Sequence, residues 1–202
     1  MDRFAKGLSL AKVSGVLKNL GIQKPYLLFV GSMYPHKNLS RLIEALGLLI
    51  RERGFGGSLV LAGQESYFSR QLRAEVARLG LGSRVQFPAL KHPLADEEIA
   101  ALYAGAEVFV FPSLKEGFGI PPLEAQAVGT PVVASKGSCI PEVCGKGALY
   151  FNPVDTADIA AQIQNVLSDQ KLRENLIAAG RKNVARFSWK KMAQQTLEVY
   201  RR

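Results

Sequence analysis

YLLFVGSMYPHKNLSRLIEAL, residues 26–46, decides how the chain folds. Its first five residues are apolar without alternation. A strand with one face in water alternates apolar and polar residues. A continuous apolar run is the pattern of a strand buried on both faces of a parallel sheet. The run stops at Gly31, a short loop follows, and residues 39–51 read as a helix with Asn38 placed at its N-cap. Strand, loop and helix in that order form the first unit of a parallel α/β sheet.

The unit repeats along the chain. LVLA and VFVF are apolar runs of the same kind. Strands are expected at 26–30, 58–62, 85–87, 108–111, 132–134 and 148–151. Helices are expected at 39–51, 68–79, 97–104, 122–128, 156–168, 171–186 and 188–200, with Asp96 and Ser188 as N-caps. The alternation predicts a doubly wound α/β fold with a mostly parallel, six-stranded, Rossmann-like sheet. In such sheets ligands bind beyond the carboxyl ends of the strands. The informative segments are therefore the loops 31–38, 63–67, 88–96, 112–121 and 135–141. Residues 1–24 read as a linker or N-terminal extension with a weak helix near 12–20, and 25–187 as the folded domain.

Composition narrows the class. The chain has 202 residues, 48% of them hydrophobic, enough for one domain with its own core. No apolar run approaches the roughly 20 residues a membrane span needs, and the N-terminus lacks a signal-peptide core. A cytoplasmic setting is the expectation, with Cys139 and Cys144 as reduced thiols at no zinc or redox spacing. The net charge of +9 is uneven: +4 over 1–24, −2 over 25–169 and +7 over 170–202. Basic ends around a nearly neutral middle do not suit a nucleic-acid binder. They suit a partner domain or a peripheral contact with an anionic membrane.

The loops carry the chemistry. GSMYPHKN is neither a dinucleotide fingerprint nor a P-loop. It leaves Lys37 just ahead of a helix, which is an anion site or an exposed lysine. The loop PSLKEGFG holds Glu116, eight positions before Glu124. Gly117 and Gly119 let a ligand approach the main chain. Ile120 and Pro121 are expected to be extended, with Pro122 opening the helix and Glu124 in its first turn. The amides of Phe118, Gly119 and Ile120 then become free donors. Glu124 also has a purely structural explanation, since a first-turn carboxylate complements the helix dipole. Nothing has metal-ligand spacing, and His36 and His92 are isolated loop residues. Trp189, Met192, Ala193, Thr196 and Tyr200 form a stripe on the last helix, suited to docking on protein.

At this point the sequence resembles a known family. PSLKEGFGIPPLEAQAVGTPVVAS, with its two glutamates separated by seven residues, resembles the signature of the family 4 retaining GT-B glycosyltransferases. YLLFVGSMYPHKNLSRLIEAL resembles the family's first strand, phosphate loop and helix, and LVLAG its second strand and glycine. Matching blocks continue to FSWKKMAQQTLEVY, so the likeness spans roughly residues 25–200. It implies the donor-binding half of a GT-B fold, with 188–202 as the helix that crosses to the acceptor half. By the same resemblance Lys37 binds the donor diphosphate together with Gly31, Ser32 and His36. Glu116 meets the transferred sugar and supports charge near its anomeric carbon. Gly117 and the amides of Phe118, Gly119 and Ile120 hold sugar hydroxyls and the distal phosphate. Glu124 binds the ribose, Pro88 to Leu90 lie against the base, and Gly63 gives the nucleotide room. The implied donor is GDP-mannose or another nucleotide-diphospho-sugar, with no metal or other cofactor. The implied acceptor is a glycan or lipid-linked sugar, and the implied partner is an acceptor domain. The pattern departs from the family at Ser32, where many members carry Arg, and at His36, where mannosyltransferase-like loops carry Arg. A glycosidase using both glutamates and a non-catalytic nucleotide-sugar-binding domain remain as alternatives.

Overall fold

The computed structural model describes residues 8–90 and 92–201. Six parallel strands form one sheet: β1 (Tyr26–Val30), β2 (Ser58–Ala62), β3 (Val85–Gln86), β4 (Val108–Phe111), β5 (Val132–Ser135) and β6 (Ala148–Phe151), in the order β3-β2-β1-β4-β5-β6. The helices are α1 (Leu10–Leu20), α2 (Leu39–Arg53), α3 (Tyr67–Arg78), α4 (Asp96–Gly105), α5 (Ile120–Val128), α6 (Ile140–Cys144), α7 (Thr156–Ser168), α8 (Gln170–Val184) and α9 (Trp189–Tyr200). The chain winds outward from β1 to β3, then returns to lay β4 on the other side of β1. Right-handed crossovers therefore place α2 and α3 on one face and α4 and α5 on the other. This is the doubly wound, Rossmann-like sheet expected from the apolar runs, and all six expected strands form.

The core explains why those runs cannot alternate. Tyr26, Leu27, Leu28 and Phe29 of β1 are fully buried, as are Val108, Phe109 and Val110 of β4. Phe29 and Phe109 each stack on Phe111, at 6.3 Å and 6.1 Å between centroids, and Tyr103 of α4 tilts onto Phe109 at 5.3 Å. Tyr26 keeps its one polar group satisfied by donating from Oη to Leu102 O at 2.7 Å. Burial pushes its phenol well above the usual range.

Several local expectations need correction. The helix expected near 12–20 forms over Leu10–Leu20, capped by Ser9 and ended by Gly21 in the left-handed region, but it is part of the folded domain and not of a linker. Val13 and Leu17, four apart on one face, enter the core with Ile22 and seat this helix against α4. Residues 1–7 of that expected linker lie outside the described residues. The third strand ends at Gln86, one residue early, and a 3-10 turn follows at Pro88–Leu90. Ala95, not Asp96, holds the N-cap position of α4, where Glu98 Oε2 accepts from the Ala95 amide at 2.8 Å. The 135–141 loop closes on the short helix α6. Helix α9 buries none of its residues, so the Trp189 stripe does not dock on this domain.

Phe109 contacts aromatic rings of both strand and helix. Phe109→Ala is expected to destabilise the domain by about 3–5 kcal/mol, measured as a shift in the urea midpoint with unchanged slope.

Candidate functional site

The return of the chain to β4 makes the site. Strands β1 and β4 lie side by side, pairing Leu27 with Val108 and Leu28 with Phe109. Their following loops, one holding Lys37 and the other Glu116, leave the same edge of the sheet at its switch point. Leu114 N donates to His36 O at 2.8 Å and joins the two loops. Lys37 Nζ then meets Glu116 Oε1 at 2.5 Å, with the side chains only 14% and 11% exposed. The ammonium also lies 5.7 Å from the centroid of the Phe111 ring. Residues 79 apart in sequence thus form one shielded ion pair.

Asn38 braces this arrangement in a way its N-cap position did not suggest. Its side chain does not cap α2. Its backbone takes the left-handed conformation, φ 59°, and Nδ2 donates to Pro112 O at 3.1 Å and Pro153 O at 2.7 Å. One buried amide therefore ties the Lys37 turn to the Glu116 loop and to the segment after β6. Sequence showed an Asn before a helix, and local pattern favours a cap over a long-range brace.

The start of α5 also differs from expectation. The helix begins at Ile120, with Gly119 at φ 93° as its N-cap residue and Pro121 already helical. Glu124 consequently lies beyond the first turn, and the dipole explanation for it weakens. It is buried, at 8% exposure, and accepts from Tyr103 Oη at 3.1 Å. Thr130 Oγ1 in turn donates to Tyr103 O at 2.6 Å. Among the described residues, the amides of Phe118, Gly119 and Ile120 donate to no protein acceptor. They stand at the same edge as Lys37, a concentration of positive potential. Ser113, in the same loop, has a buried Oγ with no partner among the described residues.

A cleft of about 390 Å³ opens over the loops that follow β1 and β2, lined by Gly31, Ser32, Tyr34, Gly63, Gln64 and Ile99 among others. Gly63 is required by the backbone itself, since a Cβ there would stand 2.1 Å from Gly31 O. Gly31 has φ 143°, which favours glycine. Pro88 and Leu90 do not line this cleft, and Pro88 is buried under the end of β3. The His36 ring is exposed and stacks on Tyr34 at 6.0 Å rather than on the ion pair. His92 pairs with Glu98 at 3.2 Å. Among the described residues no cluster of His, Cys, Asp or Glu could hold a metal ion.

Residues 18–183 match the family model described as glycosyl transferases group 1. The chain belongs to that family. This glycosyltransferase domain is 37% identical over 176 residues to O-antigen chain mannosyltransferase B of Escherichia coli, covering 87% of this chain and 45% of that protein. It is 36% identical over 170 residues to the MMP alpha-(1->4)-mannosyltransferase of Mycolicibacterium hassiacum, covering 82% and 40%. The domain thus spans less than half the length of these curated relatives. Among solved structures, a glycosyltransferase from Rickettsia africae superposes with a TM-score of 0.85 at 23% identity, covering 98% of this chain and 54% of that one. Anabaena HepE in complex with UDP-glucose superposes with a TM-score of 0.84 at 23% identity, covering 99% and 55%. At such identities these likenesses speak for the fold.

Two outcomes test the geometry. Lys37→Ala leaves the Glu116 carboxylate shielded without its counter-charge and should cost roughly 1–3 kcal/mol. Adding Glu116→Gln should recover part of that loss, giving a coupling of about 1–2 kcal/mol in a double-mutant cycle by chemical denaturation. Separately, burial pushes the Cys144 thiol up to about 12. At pH 8 its thiolate fraction is about one in ten thousand. Iodoacetamide should therefore label the partly exposed Cys139 in the native protein and Cys144 only after unfolding, read by peptide mass mapping.

Proposed function

We propose that this glycosyltransferase domain is the donor-binding half of a retaining, metal-independent enzyme that moves a hexose, mannose in the first instance, from a nucleotide-diphospho-sugar to a glycan or lipid-linked acceptor. The observation that carries the reading is the shielded Lys37–Glu116 pair next to three unused amides at the sheet's switch point. A diphosphate leaving group develops negative charge as its bond to the sugar breaks. An ammonium and preset peptide donors stabilise that charge without a metal ion and without reorganising. Lys37 takes the diphosphate, with Gly31 and Ser32 at the floor of the cleft. Glu116 faces the sugar, where a carboxylate supports positive charge at the anomeric carbon. Glu124, held by Tyr103, turns its remaining acceptor capacity to the ribose.

The mannosyltransferase names of the relatives favour mannose, and GDP-mannose is the donor of first choice. The glycosidase alternative fits less well. Its acid and nucleophile must both reach the glycosidic bond, yet Glu124 is buried and bonded to Tyr103. The exposed stripe of Trp189, Met192 and Tyr200 on α9 is read as the face that meets an acceptor-binding domain. A peripheral membrane contact would bring a lipid-linked acceptor to the cleft. No helix among the described residues is long and apolar enough to cross a membrane.

Titration calorimetry of this chain with GDP and with UDP tests the proposal. Binding of at least one nucleotide is expected, weakened tenfold or more by Lys37→Ala and unchanged by EDTA, since loss of a charge-assisted phosphate contact is worth about 1.5–3 kcal/mol. Folded protein that binds neither nucleotide at millimolar concentration would sink it.

A further inference from the structure

We propose that Ser138 is a positioning residue for Glu116: its hydroxyl grips the Glu116 backbone and so sets where the carboxylate meets the donor sugar. The proposal rests on the donor-site reading above. The loop that carries Glu116 is tied at Pro112 and Leu114, and past them its backbone has few fixed points of its own. Lys115, Gly117 and Phe118 are exposed, a Cβ at Gly117 would meet nothing within 4 Å, and Gly119 sits at φ 93°. A carboxylate on such a loop must be ordered from outside, or the ordering is charged against sugar binding.

Ser138 provides that order at two points. Its Oγ accepts from Glu116 N at 3.2 Å and donates to Glu116 O at 3.0 Å. Cys139 Sγ adds contacts of 3.4 Å to Glu116 O and 3.5 Å to Phe118 O. The other end of the clamp is fixed to the sheet. Gly137 N donates to Ser135 Oγ at 3.0 Å, and Lys136 N continues the β5–β6 ladder to Phe151 O at 2.9 Å. Ser138 itself stands at φ 56°, where glycine would be at ease and a serine is held against preference. Glycine has no hydroxyl. Strain kept where a side chain grips a site residue is the pattern of a positioning role. Both Ser138 hydrogen bonds go to the backbone of Glu116, so its effect should fall on the sugar more than on the nucleotide.

The experiment compares wild type, Ser138→Gly, Ser138→Ala and Glu116→Ala by calorimetry, using GDP with GDP-mannose and UDP with UDP-glucose. The readout is the ratio of the nucleotide Kd to the nucleotide-sugar Kd for whichever pair wild type binds. Ser138→Gly relieves the backbone strain, so its melting temperature should stay near that of wild type. Its ratio should fall about fivefold, toward that of Glu116→Ala, while the nucleotide Kd stays within about twofold, the size expected for losing one or two hydrogen bonds. Ser138→Ala should show the same fall in ratio. An unchanged ratio in both Ser138 variants overturns the proposal. Equal weakening of nucleotide and nucleotide-sugar also overturns it, because that marks a merely structural role. A Glu116→Ala ratio equal to wild type removes the sugar contact that Ser138 would position. Wild type that binds no nucleotide fails the donor reading itself, and this proposal with it.

Discussion

A parallel sheet must be covered on both faces, because its strands are apolar on both, and the chain can cover the second face only by reversing its direction of winding. That reversal falls between β1 and β4. It is a packing requirement, yet it fixes where chemistry can occur. The helices that cover opposite faces of the sheet diverge there, and the loops leading into them leave the sheet side by side at the strand ends. Lys37 and Glu116 meet because each follows one of the two strands that the reversal makes neighbours. The aromatic packing of Phe29, Phe109 and Phe111 beneath them holds that neighbourhood rigid.

The electrostatics of the site follow from shielding. An exposed lysine–glutamate pair is worth little, because water and salt screen it. Here both side chains are largely covered, so the pair is screened less than one at the surface. The amides at the start of α5 add positive potential of a different kind. They are fixed by the backbone, cost no side-chain entropy, and are held open because Gly119 turns the chain into the helix at a positive φ. Charge in the side chains pairs off, but the amide dipoles have no acceptor among the described residues.

The domain spans less than half the length of the curated mannosyltransferases it matches, and its surface carries exposed apolar residues. Helix α9 is amphipathic and entirely unburied, with Trp189, Met192, Leu197 and Tyr200 turned outward. Phe118 and Ile120, beside the unused amides, are also exposed. These apolar surfaces continue toward α9 through a groove of about 530 Å³ that includes Phe187 and Trp189.

The sequence by itself determined the architecture. Runs such as YLLFV and VFVF admit only burial on both faces, and their alternation with helical segments leaves few ways to wind the chain. Glycines and prolines, which constrain the backbone locally, also pointed to the amides of Phe118 to Ile120, whereas Lys37, Glu116 and Glu124 took their roles from the resemblance to the family signature. What the sequence could not show were contacts that depend on which loops become neighbours. Asn38 reads as a cap and is a brace to Pro112 and Pro153. Glu124 reads as a dipole partner and is a buried acceptor for Tyr103. Residues 10–20 read as a weak helix in a tether and are a helix packed on the core. Ser138 and Cys139 carry no local signal at all, yet they hold the Glu116 loop. Backbone preference and apolar period are encoded within a few residues and can be read there. A hydrogen bond between residues 22 or 74 positions apart exists only once the sheet has set its strands side by side, so the tertiary structure alone decided it.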